Sequence, residues 1–138
     1  GDGVKKKFTL PLVDVIGPSI ANPTAFMASV SVSTQALRQA VEDAGSVGCT
    51  VKFSLGPDGL AVTAEGDGKA FETSIPATVP PLPFPIRAMY SVSYLEYVVK
   101  PSIADTVKLS LAPDYPLELS YSVLGGSLRL FLAPRVEE

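Results

Sequence analysis

Histidine is absent from the 138 residues, and cysteine occurs once, at Cys49. Without histidine the commonest general base is gone, and one thiol cannot make the clustered ligand set of a zinc site. No G-x-x-x-x-G-K-[ST] phosphate loop is present; "GPDG" (56–59) and "EGDG" (65–68) read as turns. Asp58, Asp67 and Asp114 also fall in turns, and none forms an evident acid and base pair. The expectation is a protein that is not an enzyme and needs neither metal nor cofactor. Long apolar runs are missing too: nothing approaches the roughly 20 residues that cross a bilayer, so no spanning helix, signal peptide or membrane partner is expected. Nor is one sign of charge in large excess. Eleven basic against fourteen acidic side chains leave −3, which excludes binding nucleic acid by bulk electrostatics and confines any such role to local geometry. Cys49 reads as a buried apolar filler at the head of a strand, and a lone thiol fits an intracellular, reducing location.

What is present is a core and a repeat. With 46% hydrophobic residues, a chain of this length buries about two thirds of its unfolded surface, as one compact unit. "TVKFSLGPDGL" (50–60) returns as "TVKLSLAPDYPL" (106–117). In the first copy Val51, Phe53 and Leu55, then Leu60, Val62 and Ala64, alternate with polar or small residues, so two strands are expected around the turn 56–59. The second copy sets Val107, Leu109 and Leu111 against Leu117, Leu119 and Tyr121 across a longer turn, Ala112 to Pro116.

A helix precedes each hairpin. Ser33 is positioned to cap one in which Ala36, Leu37, Ala40, Val41 and Ala44 share a face, ended by Gly45 and Gly48. Val92, Leu95, Val98 and Val99 mark a shorter one, with Ser93 and Glu96 at capping-box spacing and Pro101 beyond it. Strands are expected before each helix (27–32 and 86–90) and after each hairpin (69–75 and 127–132). The fold class is therefore α+β, a β-α-β-β-β unit used twice, with two helices on one face of a largely antiparallel sheet. "PATVPPLPFP" (76–85) reads as an extended surface crossover between the copies. Upstream, Val4 to Leu12 reads as an isolated strand and 13–26 as a connector without period. Because the chain starts at Gly1, it is expected to begin inside a longer gene product or after a removed tag.

"SVSYLEYVVK" (91–100), the hairpin carrying Asp114, Tyr115 and Pro116, and above all "LRLFLAPRVEE" (128–138) resemble the carboxyl-terminal domain of the proliferating cell nuclear antigen family of sliding DNA clamps, its archaeal members most of all. "KKKFTLPLVDV" (5–15) resembles the last strand of that family's first domain, and 26–48 its next strand and helix. The resemblance implies a last strand of a missing first domain at 1–12, an interdomain connector at 13–26 and a carboxyl-terminal clamp domain at 27–138. It implies a ring around double-stranded DNA that tethers DNA polymerase, flap endonuclease, DNA ligase and clamp loader through PIP-type peptides. Localisation would be cytoplasm or nucleoid if archaeal, and nucleus if eukaryotic. A stand-alone scaffold that self-assembles through edge strands is the alternative, as is a natural single-domain clamp in place of a fragment.

Three sites follow from the resemblance. The client-peptide pocket matches Ile16, Ile20, Pro116, Phe131, Leu132, Ala133 and Pro134, a helix-in-groove mode; since strand neighbours alternate, either Phe131 or Leu132 must face the core. The interface with other clamp subunits matches the edge strand Lys69, Ala70, Phe71, Glu72, Thr73, Ser74 and Ile75. Arg38 and Lys100 match the family's DNA-facing cations, but Glu42, Asp43 and Glu96 share those helix faces, and a solvated face with an Arg38–Glu42 pair is the alternative reading. The basic run Lys5 to Lys7 reads as a solubilised edge.

Overall fold

The computed structural model describes residues 26–135 and the short strand β1 (Leu12–Val13). The expected strand Val4 to Leu12 and the connector 13–26 otherwise lie outside the described residues.

Each copy of the repeat forms the expected elements. The first contains β2 (Ala28–Ser33), α1 (Thr34–Gly45), β3 (Thr50–Gly56), β4 (Gly59–Gly66) and β5 (Lys69–Pro76). The second contains β6 (Ile86–Ser91), α2 (Val92–Val98), β7 (Thr106–Leu111), β8 (Leu117–Val123) and β9 (Gly126–Leu132). Between β3 and β4 the tight reversal needs Gly59, whose φ is +143° and whose missing Cβ would lie 2.6 Å from the Ile75 carbonyl oxygen.

The two copies do not fold side by side. The described strands form a sheet in the order β5-β4-β3-β6 and another in the order β1-β9-β8-β7-β2, every pairing antiparallel. Each copy thus lends its opening strand to the other copy's hairpin: β2 pairs with β7, and β6 with β3. Sequence periodicity names the strands but is blind to which copy they join.

Both helices lie on the core side. Leu37, Val41 and Ala44 from α1 and Leu95 and Val98 from α2 share one apolar cluster with Val51, Phe53 and Leu55 of one sheet and Leu109, Leu119 and Tyr121 of the other. The alternate strand residues point away from it, so the helix pair packs against the inward faces of both sheets. Burying such a side chain contributes about 1.5–3 kcal/mol, so this shared cluster outweighs any single polar contact.

Caps account for the helix ends. The Ser33 hydroxyl accepts from the Ala36 N–H at 3.1 Å, as expected. In α2 the cap is Ser91, which accepts from Tyr94 N–H at 3.5 Å, and not Ser93. The helix starts directly after β6, two residues earlier than the capping-box spacing suggested. At the end of α1, Ser46 takes the free carbonyls with its N–H, and its hydroxyl donates to the Asp43 carbonyl at 2.7 Å. Gly48 has a different use from the expected one. Its missing Cβ would stand 2.6 Å from the Glu65 carbonyl, so glycine there permits a close backbone approach to β4.

Candidate partner-binding ledge

β6 ends the four-stranded sheet, and its open edge gathers two distant segments. The Asp114 N–H donates to the Arg87 carbonyl at 3.1 Å, and the Arg135 N–H donates to the Met89 carbonyl at 2.7 Å. Arg87 and Met89 are two apart in β6, so their carbonyls face the same way and sit one strand repeat from each other. The turn before Pro116 and the tail after Leu132 are therefore held next to one another. A second tie comes from the Tyr90 hydroxyl, which donates to the Tyr115 carbonyl at 2.7 Å, while the Phe26 ring meets Tyr115 edge-on at 5.4 Å. Burial, and then the Asp114 charge, push the Tyr90 hydroxyl above the ordinary tyrosine range, so it remains a donor at any physiological pH.

Of the residues expected in the peptide pocket, Pro116 and Pro134 are half-buried and Ala133 is exposed, beside this shared edge. Leu132 belongs to the core, with no exposed surface. Phe131 points to the opposite face, as alternation requires, yet only 3% of it is exposed. Alternation therefore holds, but both of these expected pocket side chains are buried. On that outer face the Arg129 guanidinium lies over the Phe131 ring, 5.8 Å from its centroid, and Arg129 Nε donates to Glu118 at 2.6 Å. β1 pairs across Phe131 and Leu132 through Val13 and Leu12. Ile16 and Ile20 lie outside the described residues. The part played by Arg87 and Met89 was missed in the sequence, because their carbonyls act and not their side chains.

β5 is the edge of its sheet and pairs with β4 alone among the described strands. Lys69, Ala70, Glu72 and Ser74 are exposed, Phe71 and Thr73 half-buried, and Ile75 buried.

Arg38 and Lys100 lie close to the helix pair, but the arginine is engaged. Its Nε binds Glu42 at 2.7 Å, and Nη1 donates to the carbonyls of Glu96 at 2.7 Å and Val99 at 2.9 Å. Arg38 thus ties α1 to the C-terminal end of α2, where free carbonyls attract a cation. Lys100 Nζ sits 5.4 Å from the centre of the Tyr97 ring. The Tyr121 hydroxyl completes this helix end. It donates to the Val98 carbonyl at 2.6 Å and accepts from the Lys100 N–H at 3.0 Å, and burial raises its pKa.

Cys49 is exposed, not buried as expected. β3 starts one residue later, at Thr50, so Cys49 stands outside the alternation that would have turned it inward. Among the described residues no group of His, Cys, Asp and Glu is placed to hold a metal ion, and no helix is long and apolar enough to cross a membrane.

The doubled β-α-β-β-β unit, its two helices packed on the core side of two antiparallel sheets, is an α+β fold consistent with a clamp domain. By sequence the chain is similar to several archaeal proteins named as DNA polymerase sliding clamps. It is 33% identical to the "DNA polymerase sliding clamp" of Thermococcus gammatolerans over 142 aligned positions, 97% of this chain and 57% of that protein. It is 32% identical to "DNA polymerase sliding clamp 2" of Thermococcus kodakarensis, over 95% of this chain and 55% of that protein. To the "DNA polymerase sliding clamp" of Thermofilum pendens it is 27% identical, over 96% and 58%. The chain therefore spans a little over half the length of these relatives. No family model matches it.

Proposed function

We propose that this chain is the carboxyl-terminal part of a sliding-clamp subunit that, in a complete ring, encircles double-stranded DNA and tethers replication and repair proteins. The observation that carries this reading is the sequence match over 97% of the chain to a protein named as a DNA polymerase sliding clamp. The two helices, packed against each other on the core side of the sheets, support it, because a ring lined by helices needs them all on one side. In this reading residues 1–12 end a preceding domain, 13–26 connect it to the described one, and β5 receives a strand of the next subunit. The ledge at Pro116, Ala133 and Pro134 takes PIP-type peptides of polymerase, flap endonuclease, ligase and clamp loader, with Ile16 and Ile20 on its rim. The role is non-enzymatic and intracellular. Lys100 faces DNA; Arg38, held by three partners, has little left to offer a phosphate.

Titration of the isotope-labelled chain with a client-type peptide tests the ledge. Perturbation of the amides of Asp114, Tyr115, Ala133 and Arg135 is expected, and a titration leaving them unmoved overturns peptide docking here. Mass in solution tests the edge strand. A clean monomer at high concentration argues against self-assembly and so against the scaffold reading.

A further inference from the structure

We infer that the crossover between the two copies is itself a ligand: a pre-extended proline segment read by a partner module with an aromatic groove. This inference does not rest on the clamp reading. Residues 77–85 run ATVPPLPFP, and Pro80, Pro81, Pro83 and Pro85 have fixed φ and no N–H. Val79, Pro80, Leu82 and Phe84 each precede a proline, which excludes helical backbone and favours the extended polyproline conformation. Most of the ordering entropy that a free peptide loses on binding is therefore already lost here.

The fold decides which side of the segment faces out. Val79 and Leu82, three apart, pack against the core, as a period of three residues per turn would place them. Pro80 and Pro83, the ends of a P-x-x-P spacing, are both exposed, and Phe84 beside them is 51% exposed after the chain bends at Pro83. Among the described residues no backbone hydrogen bond ties Ala77 to Pro85 to another segment, so the carbonyls remain acceptors. A cleft of about 350 Å3 runs along the segment, walled by Val79 to Pro85 on one side and by Gly56 and Pro57 on the other. An aromatic side chain with a polar N–H fits this surface, its ring against proline and its donor on a carbonyl. That is the chemistry of modules that read proline-rich helices.

The protein contains no tryptophan, which makes the test direct. A purified WW domain, with a tryptophan in its ligand groove, is titrated with the intact chain while the module's fluorescence is followed. A saturable change is expected, weakened about tenfold or more by Pro80→Ala and by Pro83→Ala, as for central contacts of an interface. Circular dichroism checks that each variant keeps the parent's melting transition, and Phe84→Ser, at a freely exposed position, gives a further variant. No fluorescence change, or one that survives both proline substitutions, overturns the proposal. So does a rise in the chain's own mass with concentration that the same substitutions abolish, which would identify a second copy as the occupant.

Discussion

The backbone N–H of Val92, at the start of α2, donates to the carbonyl of Cys49 at 3.0 Å, and Thr34, at the start of α1, donates in the same way to Asp105 at 2.9 Å. In both copies the first free helix donor is satisfied by the residue just before the partner copy's hairpin. Cys49 is therefore held by its carbonyl while its side chain faces solvent. In the folded protein its thiol should react with a disulfide reagent about as fast as in urea. Cys49→Ser should change stability by less than about 0.5 kcal/mol, the usual range for a surface exchange. Strong protection of the thiol would contradict this placement.

Arg38 supports the helix pair. Removing it with Arg38→Ala leaves the Glu96 and Val99 carbonyls without their charged donor and should cost about 1.5–3 kcal/mol in urea unfolding. Glu42→Ala, which removes only an exposed ion pair, should cost about 0.3–0.5 kcal/mol. Equal losses would mean that the interhelix bonds contribute nothing.

Tyr121→Phe deletes one oxygen that serves both Val98 and Lys100. Two polar groups near the core lose their partner, and the expected loss is about 1–3 kcal/mol without a change in denaturant slope. A neutral result would show that water replaces the hydroxyl.

Alkaline pH should destabilise the fold through Tyr90. Its folded pKa is raised, so above an unfolded value of about 10 the unfolded chain has lost a proton that the folded chain keeps. Stability is then fully present below that pH and falls by about 1.4 kcal/mol per unit above it. The gap between urea midpoints at about pH 8 and about pH 11 should narrow in Tyr90→Phe relative to the parent, because phenylalanine removes this proton from both states. Tyr121, also raised by burial, keeps part of the gap.

Local pattern made most elements readable. Val51, Phe53 and Leu55 alternate because β3 has one face on the core, and Leu37, Val41 and Ala44 recur because α1 has one apolar stripe. What stayed hidden depends on partners far along the chain. The exchange of β2 and β6 between sheets leaves no trace in periodicity, since a strand alternates the same way beside either neighbour. Ser93, with Glu96 at capping-box spacing, is the cap the sequence suggests, and only the abrupt end of β6 selects Ser91 instead. At the ledge, Pro116 and Pro134 could be named from resemblance, but the main-chain oxygens of Arg87 and Met89 that bring them together carry no side-chain signature.

The reciprocal loan of β2 and β6 makes each half of the chain unfinished when alone. A cut within 77–85 would yield two fragments, each with an open seam shaped for a strand that the other holds. Such fragments should remain unfolded apart and regain structure on mixing, so the molecule melts as one body despite being written as two.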